Sequence, residues 1–126
     1  MKKVIESKNA PAPIGPYSRA VQAGNMVFLS GAIALKSDGT LEQSSIEAET
    51  KQVLENIKTV LADAGLGFEN LVKVGIFLTD MKDFAAVNSV YASYFTSDFP
   101  ARETVQVAAL PAGARVEISG IAVTEL

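Results

Sequence analysis

The stretch from Ser44 to Thr79, SSIEAETKQVLENIKTVLADAGLGFENLVKVGIFLT, decides the fold. Its first half is a helix: Ile46, Val53, Leu54, Ile57, Val60, Leu61 and Ala64 recur at the spacing of one helical stripe. Ser44 followed by Glu47 reads as a capping box, and Gly65 fits the position just beyond the last turn. Its second half, Leu71 to Thr79, is rich in β-branched and aromatic residues and reads as a central strand. Gly75 within it marks a bulge or the close approach of another backbone. An amphipathic helix feeding an apolar strand is the unit of a layered helix-on-sheet domain.

Toward the N-terminus, Val4-Ile5 forms a short strand, and Asn9 to Pro16 holds three of the five prolines. Proline fixes φ and removes a donor, so this is a rigid extended loop, and the apolar Ile14 and Tyr17 predict that it packs. Arg19–Ala23 and Met26–Leu29 flank the turn signal Ala23-Gly24-Asn25 as a hairpin. Ser30-Gly31 ends the second strand or bulges it, and Ile33–Leu35 continues the sheet. Toward the C-terminus a second helix starts at Asp80 or Lys82-Asp83, with Phe84, Val87, Val90-Tyr91 and Tyr94 as its apolar stripe. Two alternating strands follow, Arg102–Ala108 and Arg115–Thr124, joined through Leu110 to Ala114. The order β-β-β-α-β-α-β-β, with hairpins at both ends, predicts one α+β domain over 1–126: two helices on one face of a mixed sheet. The other face still carries Ile121 and Val123, so a second copy of the sheet is expected to cover it, making a homo-oligomer.

Composition narrows the chemistry. The 126 residues are 48% hydrophobic, enough for one core, which excludes disorder along the whole chain. There is no Cys and no His, which removes disulfides, thiol nucleophiles, the Ser-His-Asp arrangement and nearly every usual zinc, haem or iron–sulfur site. A net charge of -3 and scattered basic residues argue against a nucleic-acid partner. No stretch reaches the roughly 20 apolar residues of a membrane span, and no signal-peptide core follows Lys2-Lys3, so a soluble, cytoplasmic protein is the expectation.

Two charges stand out. Arg102 opens a strand directly after Pro100-Ala101, with Thr104 and Gln106 on its face. Glu117 sits between Val116 and Ile118 on a face shared with Ile121 and Val123, where a carboxylate is costly unless paired. One reading makes them surface residues or a structural ion pair. The other makes them a site, in which the guanidinium clamps a substrate carboxylate and Glu117 handles a water or a proton. Tyr17 after the proline-rich loop, the Ser30-Gly31 break and Asn88 on the second helix are further candidates, each with an ordinary structural reading beside it. Asp80, Asp83 and Asp98 lack metal-ligand spacing and read as caps and loop residues.

Several blocks, in order, add a resemblance. Asn9-Ala10-Pro11-Ala12-Pro13-Ile14-Gly15-Pro16-Tyr17-Ser18, Gly24 to Gly31, Asp83 to Tyr91, Pro100-Ala101-Arg102, Leu110-Pro111 and Val116-Glu117-Ile118 resemble the signatures of the RidA/YjgF/UK114 family. The resemblance runs from about residue 8 to residue 124. It implies a chorismate-mutase-like α+β fold assembled as a homotrimer with inter-subunit active sites. It implies an imine deaminase that hydrolyses 2-imino acids, such as 2-iminopropanoate and 2-iminobutanoate, to 2-keto acids and ammonia, protecting pyridoxal-phosphate enzymes without a metal or organic cofactor. Arg102 then takes the substrate carboxylate and Glu117 positions water and moves protons, while Tyr17, Ser30, Gly31, Asn88 and Thr104 line the pocket. Thr104 stands where many relatives have Cys. Glu103, Ala32 and Arg19 depart from the family pattern, and by alternation Glu103 points away from Arg102. The resemblance leaves a second function open, a non-catalytic regulator binding keto acids or amino acids. An RNA-acting protein is disfavoured by the missing His and the acidic charge, and a holdase has no positive feature in the sequence.

Overall fold

The computed structural model describes residues 1–7 and 12–125. The first part of the proline-rich loop, through Pro11, lies outside the described residues. Six strands form one sheet: β1 (Lys2–Ile5), β2 (Ala20–Ala23), β3 (Met26–Ala32), β4 (Leu71–Leu78), β5 (Ala101–Gln106) and β6 (Val116–Val123). Two helices, α1 (Ile46–Asp63) and α2 (Phe84–Ala92), pack on one side of it. The sheet order is β1-β2-β3-β6-β4-β5. Neighbours are antiparallel except β4 and β5, which run parallel.

The α1 stripe behaves as its period predicts: Val53, Leu54, Ile57, Val60 and Leu61 are all buried. They meet Val74, Ile76 and Leu78 of β4 and Val116, Ile118 and Ala122 of β6 in one core. Burying each large side chain there is worth roughly 1.5–3 kcal/mol. The cap sits one residue later than the spacing suggests. Ser45, with extended backbone, accepts a hydrogen bond from Ala48 N at 3.0 Å, while the Ser44 hydroxyl turns to Glu42. At the other end Gly65 takes φ +75°, the left-handed conformation that stops the helix. Asp80 accepts from Lys82 N at 2.9 Å, capping a single turn that leads into α2.

The expected C-terminal hairpin is not formed. β5 pairs in parallel with β4, making β4-α2-β5 a crossover unit, and β6 passes back to lie between β3 and β4. The connection from Val107 to Arg115 is too long for a tight hairpin turn, and it bends through Ala112 (φ 58°) and Gly113 (φ 75°). Gly75 does not carry a bulge. Its missing Cβ makes room for Glu103 and Ser119, whose oxygens would stand 3.2 and 3.3 Å from that carbon. The β4 register shift falls between Leu71 and Lys73 instead.

Among the described residues, the sheet is covered on one side only. On the opposite face Phe28 and Val105 are 41% and 42% exposed, and Phe77 and Ile121 lie on the same side. Among them Lys73 Nζ pairs with Glu103 at 3.0 Å. Glu103 thus points away from Arg102, as the alternation requires. No helix among the described residues is long and apolar enough to cross a membrane.

Candidate active site

The two charges singled out in the sequence lie on opposite faces of the sheet. Arg102 is in register with the buried Val74 of β4, so it points to the helix side. Glu117 is in register with Phe77 and points to the open side. The structural ion pair between them is therefore excluded within one chain. Each charge instead organises its own cleft.

Arg102 lies on the edge strand β5. Its Nη1 donates to Asn88 Oδ1 at 2.6 Å, and its Cζ stands 5.0 Å from the ring centroid of Tyr91 and 5.9 Å from that of Phe84. Phe84, Asn88 and Tyr91 are i, i+4 and i+7 on α2, so one helical stripe supplies all three contacts. The cleft beside them is about 370 Å³, lined by Asn88, Tyr91, Ala92, Phe99, Pro100 and Arg102. Thr104, two residues along β5 on the same face, has a buried hydroxyl with no hydrogen-bond partner among the described residues. An arginine held at one nitrogen and lining a cleft with the rest of its fork is built to receive a carboxylate.

Glu117 lines the second cleft, about 470 Å³, with Tyr17, Ser30, Gly31, Ile33 and Pro111 among its walls. A bulge builds this wall. Between Leu29 and Ala32 the strand β3 spends one residue more than β6 opposite it, which sets Gly31 against Glu117. A Cβ on Gly31 would stand 2.7 Å from the Glu117 carboxyl, so only glycine leaves the carboxylate its place. The Ser30 hydroxyl donates to Ser18 O at 2.6 Å, tying the bulge to the segment that carries Tyr17. Burial pushes the Glu117 carboxyl above the ordinary carboxylate value. Ile14 and Tyr17, whose apolar side chains led to the expectation that the loop packs, do not enter the core. They are 61% and 44% exposed and wall this cleft instead.

One element had no obvious sequence signal. Glu49 of α1 is fully buried and accepts from Arg115 N at 2.8 Å and from Arg115 Nε at 2.7 Å. Gln43 donates to Gly113 O at 3.0 Å beside it. Together they clamp the loop that carries Pro111 and launches β6 toward Glu117. A buried carboxylate is tolerable because this pairing is nearly saturated. Among the departures, Ala32 is buried, and Arg19 borders a separate cleft that shares only Tyr17 with the Glu117 cleft. Burial lowers the Arg19 pKa, and its Nε and Nη2 have no hydrogen-bond partner among the described residues. No cluster of three or more His, Cys, Asp or Glu placed to hold a metal occurs among the described residues.

Comparison with known proteins finds relatives along nearly the whole chain. A profile of the Endoribonuclease L-PSP family matches residues 7–124. Protein DfrA of Myxococcus xanthus is 54% identical over 127 residues, spanning 98% of this chain and 96% of the relative. The 2-iminobutanoate/2-iminopropanoate deaminase of Mus musculus is 48% identical, over 98% of this chain and 92% of the relative. The crystal structure of E. coli TdcF with bound serine is similar at a TM-score of 0.92 and 38% identity, covering 98% of this chain and 99% of that one.

Proposed function

This chain belongs to the Endoribonuclease L-PSP family, the RidA/YjgF group, and we propose that it hydrolyses 2-imino acids to 2-keto acids and ammonia. The observation that carries the reading is the Arg102 guanidinium, fixed by Asn88 and facing a cleft on the rim of the sheet. It binds the substrate carboxylate through a charge-assisted fork. Glu117, desolvated and so raised in pKa, takes a proton from water as the oxygen attacks the electrophilic imine carbon. The same carboxyl returns that proton to nitrogen, giving a carbinolamine. It then carries the carbinolamine hydroxyl proton to the amine nitrogen as C=O forms and the C–N bond breaks, so that the keto acid and ammonia leave. An imine reacts with water unaided, so positioning and one acid–base group suffice. The deaminase named among the relatives supports the reaction class.

Both residues act on one substrate only if the Arg102 cleft of one copy closes over the Glu117 cleft of the next. We assign the open sheet face to that contact. Its apolar residues need cover, the two clefts are different surfaces, and such a heterologous contact makes a ring where its rotation closes, a homotrimer as the family resemblance implies. Tyr17, Ser30 and Gly31 then line the pocket from one copy, and Asn88 and Thr104 from the other.

The test couples the purified protein to a threonine dehydratase and follows keto-acid release, with semicarbazide competing for the free imine. Wild type is expected to speed release and divert imine from the trap. Arg102→Ala is expected to raise KM about 10- to 100-fold, the loss of a charge-assisted fork. A wild type no faster than the uncatalysed control, with folding intact, removes the reaction. The serine-bound relative favours one second reading, a regulator that binds small amino or keto acids without turnover. That reading predicts saturable ligand binding and no rate.

A further inference from the structure

We propose that Tyr91 is a positioning residue for the Arg102 clamp, and that its ring, not its hydroxyl, does the positioning. The inference rests on the reading that Arg102 receives the substrate carboxylate.

Tyr91 is 5% exposed, and its hydroxyl has no hydrogen-bond partner among the described residues of one copy. The hydroxyl therefore makes no hydrogen bond to Arg102, and it is the ring that meets the guanidinium. The ring has clear work. It lies 5.0 Å from Arg102 Cζ, within cation–π range, and it packs 4.8 Å from the Phe95 ring, which holds it in place. A free arginine side chain has many rotamers. Asn88 fixes one guanidinium nitrogen, but a single hydrogen bond leaves the plane free to rotate about it. The Tyr91 ring, with Phe84 at 5.9 Å, supplies the second constraint by fixing the plane itself. Two constraints from one stripe of α2 leave the unbonded edge of the fork as the place for an anion. A planar carboxylate then meets two donors at once, whereas a freely turning arginine would meet it as a point charge. Burial pushes the Tyr91 phenol pKa up, so the hydroxyl stays neutral and adds no charge beside the clamp.

The experiment compares wild type, Tyr91→Leu and Tyr91→Phe by three readouts. These are calorimetric binding of 2-oxobutanoate, the KM and kcat of imine hydrolysis, and the side-chain Nε–Hε resonance of Arg102 in ¹⁵N NMR. Tyr91→Leu is expected to raise both Kd and KM about tenfold, with kcat within about threefold, and to abolish the ring-current shift of Arg102. Tyr91→Phe keeps the ring and is expected to recover Kd and KM to within about twofold of wild type, with the shift retained. A Tyr91→Phe as damaging as Tyr91→Leu overturns the proposal by giving the hydroxyl the role. A Tyr91→Leu with wild-type Kd and KM overturns it by making Tyr91 simple core filling. If Tyr91→Leu does not fold, the wild-type spectrum still decides, because an Arg102 resonance without a ring-current shift overturns the proposal. A wild type that binds 2-oxobutanoate with the shift intact but turns over no imine retires the proposed reaction and leaves Tyr91 in place.

Discussion

The two clefts are built in opposite ways. Around Arg102 the guanidinium is held within the chain: it donates a hydrogen bond to Asn88 and meets ring faces from Tyr91 and Phe84, and one helix holds all three in register. Around Glu117 little is. The carboxylate is desolvated, its neighbours come from a bulge and an exposed segment, and the glycine against it is valued for what it lacks. On the proposed function, the binding half is therefore preorganised in a single copy, and the reactive half holds a group whose environment raises its free energy. A cation with partners is good at anchoring. A carboxylate without them is good at moving protons.

The largest expected effect falls on the reactive half. Glu117→Gln keeps the shape and removes the base, so kcat should fall about 10²- to 10⁴-fold while 2-oxobutanoate binding changes little. Steady-state rates set beside calorimetry check it, and a parallel loss of binding would blur the distinction between the halves. The same pair of proteins gives the pH dependence. The ionised Glu117 is the working base, so wild-type rate should fall as pH drops through its raised pKa, and Glu117→Gln should lose that limb. The raised pKa also means that the folded chain holds this proton more tightly than the unfolded one. That contribution to stability is present below the unfolded pKa and is lost as pH rises through the folded value. Thermal melts of the two proteins across that window should show the difference.

Phe28→Asp comes next. It places a charge on the open sheet face and should shift the mass in light scattering from the assembly toward the monomer, with activity falling in proportion. An unchanged mass would remove this face from the contact. Gly31→Ala is the finest probe. The added methyl displaces the Glu117 carboxyl, so kcat/KM should fall about tenfold with the thermal midpoint hardly moved. A crystal structure showing Glu117 undisturbed would contradict the role given to the bulge.

Much of the architecture was legible because it follows local periods. The α1 stripe, the apolar β4 and the alternation of β6 each say which face is buried, and alternation alone predicted that Glu103 turns from Arg102. The C-terminal topology was not legible. Two alternating strands in succession read as a hairpin, and only non-local pairing makes β5 parallel to β4 and inserts β6 between β3 and β4. That error hid the most consequential fact about the candidate site. As a hairpin, Arg102 and Glu117 can be partners; in the observed sheet they face opposite ways. The Ser30-Gly31 break was visible as a break, but its use, admitting Glu117, is a three-dimensional fact. Glu49 and Tyr91 were hidden by their settings, since each sits in an ordinary helical stripe and gains its role from a residue far along the chain.

The account's central claim is that Arg102 and Glu117 of different copies make one site. The most direct measurement unfolds Arg102→Ala and Glu117→Gln together in equal amounts, refolds them, and assays imine hydrolysis. At substrate concentrations well below the raised KM of Arg102→Ala, neither parent turns over appreciably alone. In random mixed rings about a quarter of the sites pair an intact Arg102 cleft with an intact Glu117 cleft, so about a quarter of wild-type activity should return. Activity no higher than that of the parents, with mixed assemblies confirmed by mass, would contradict the shared site.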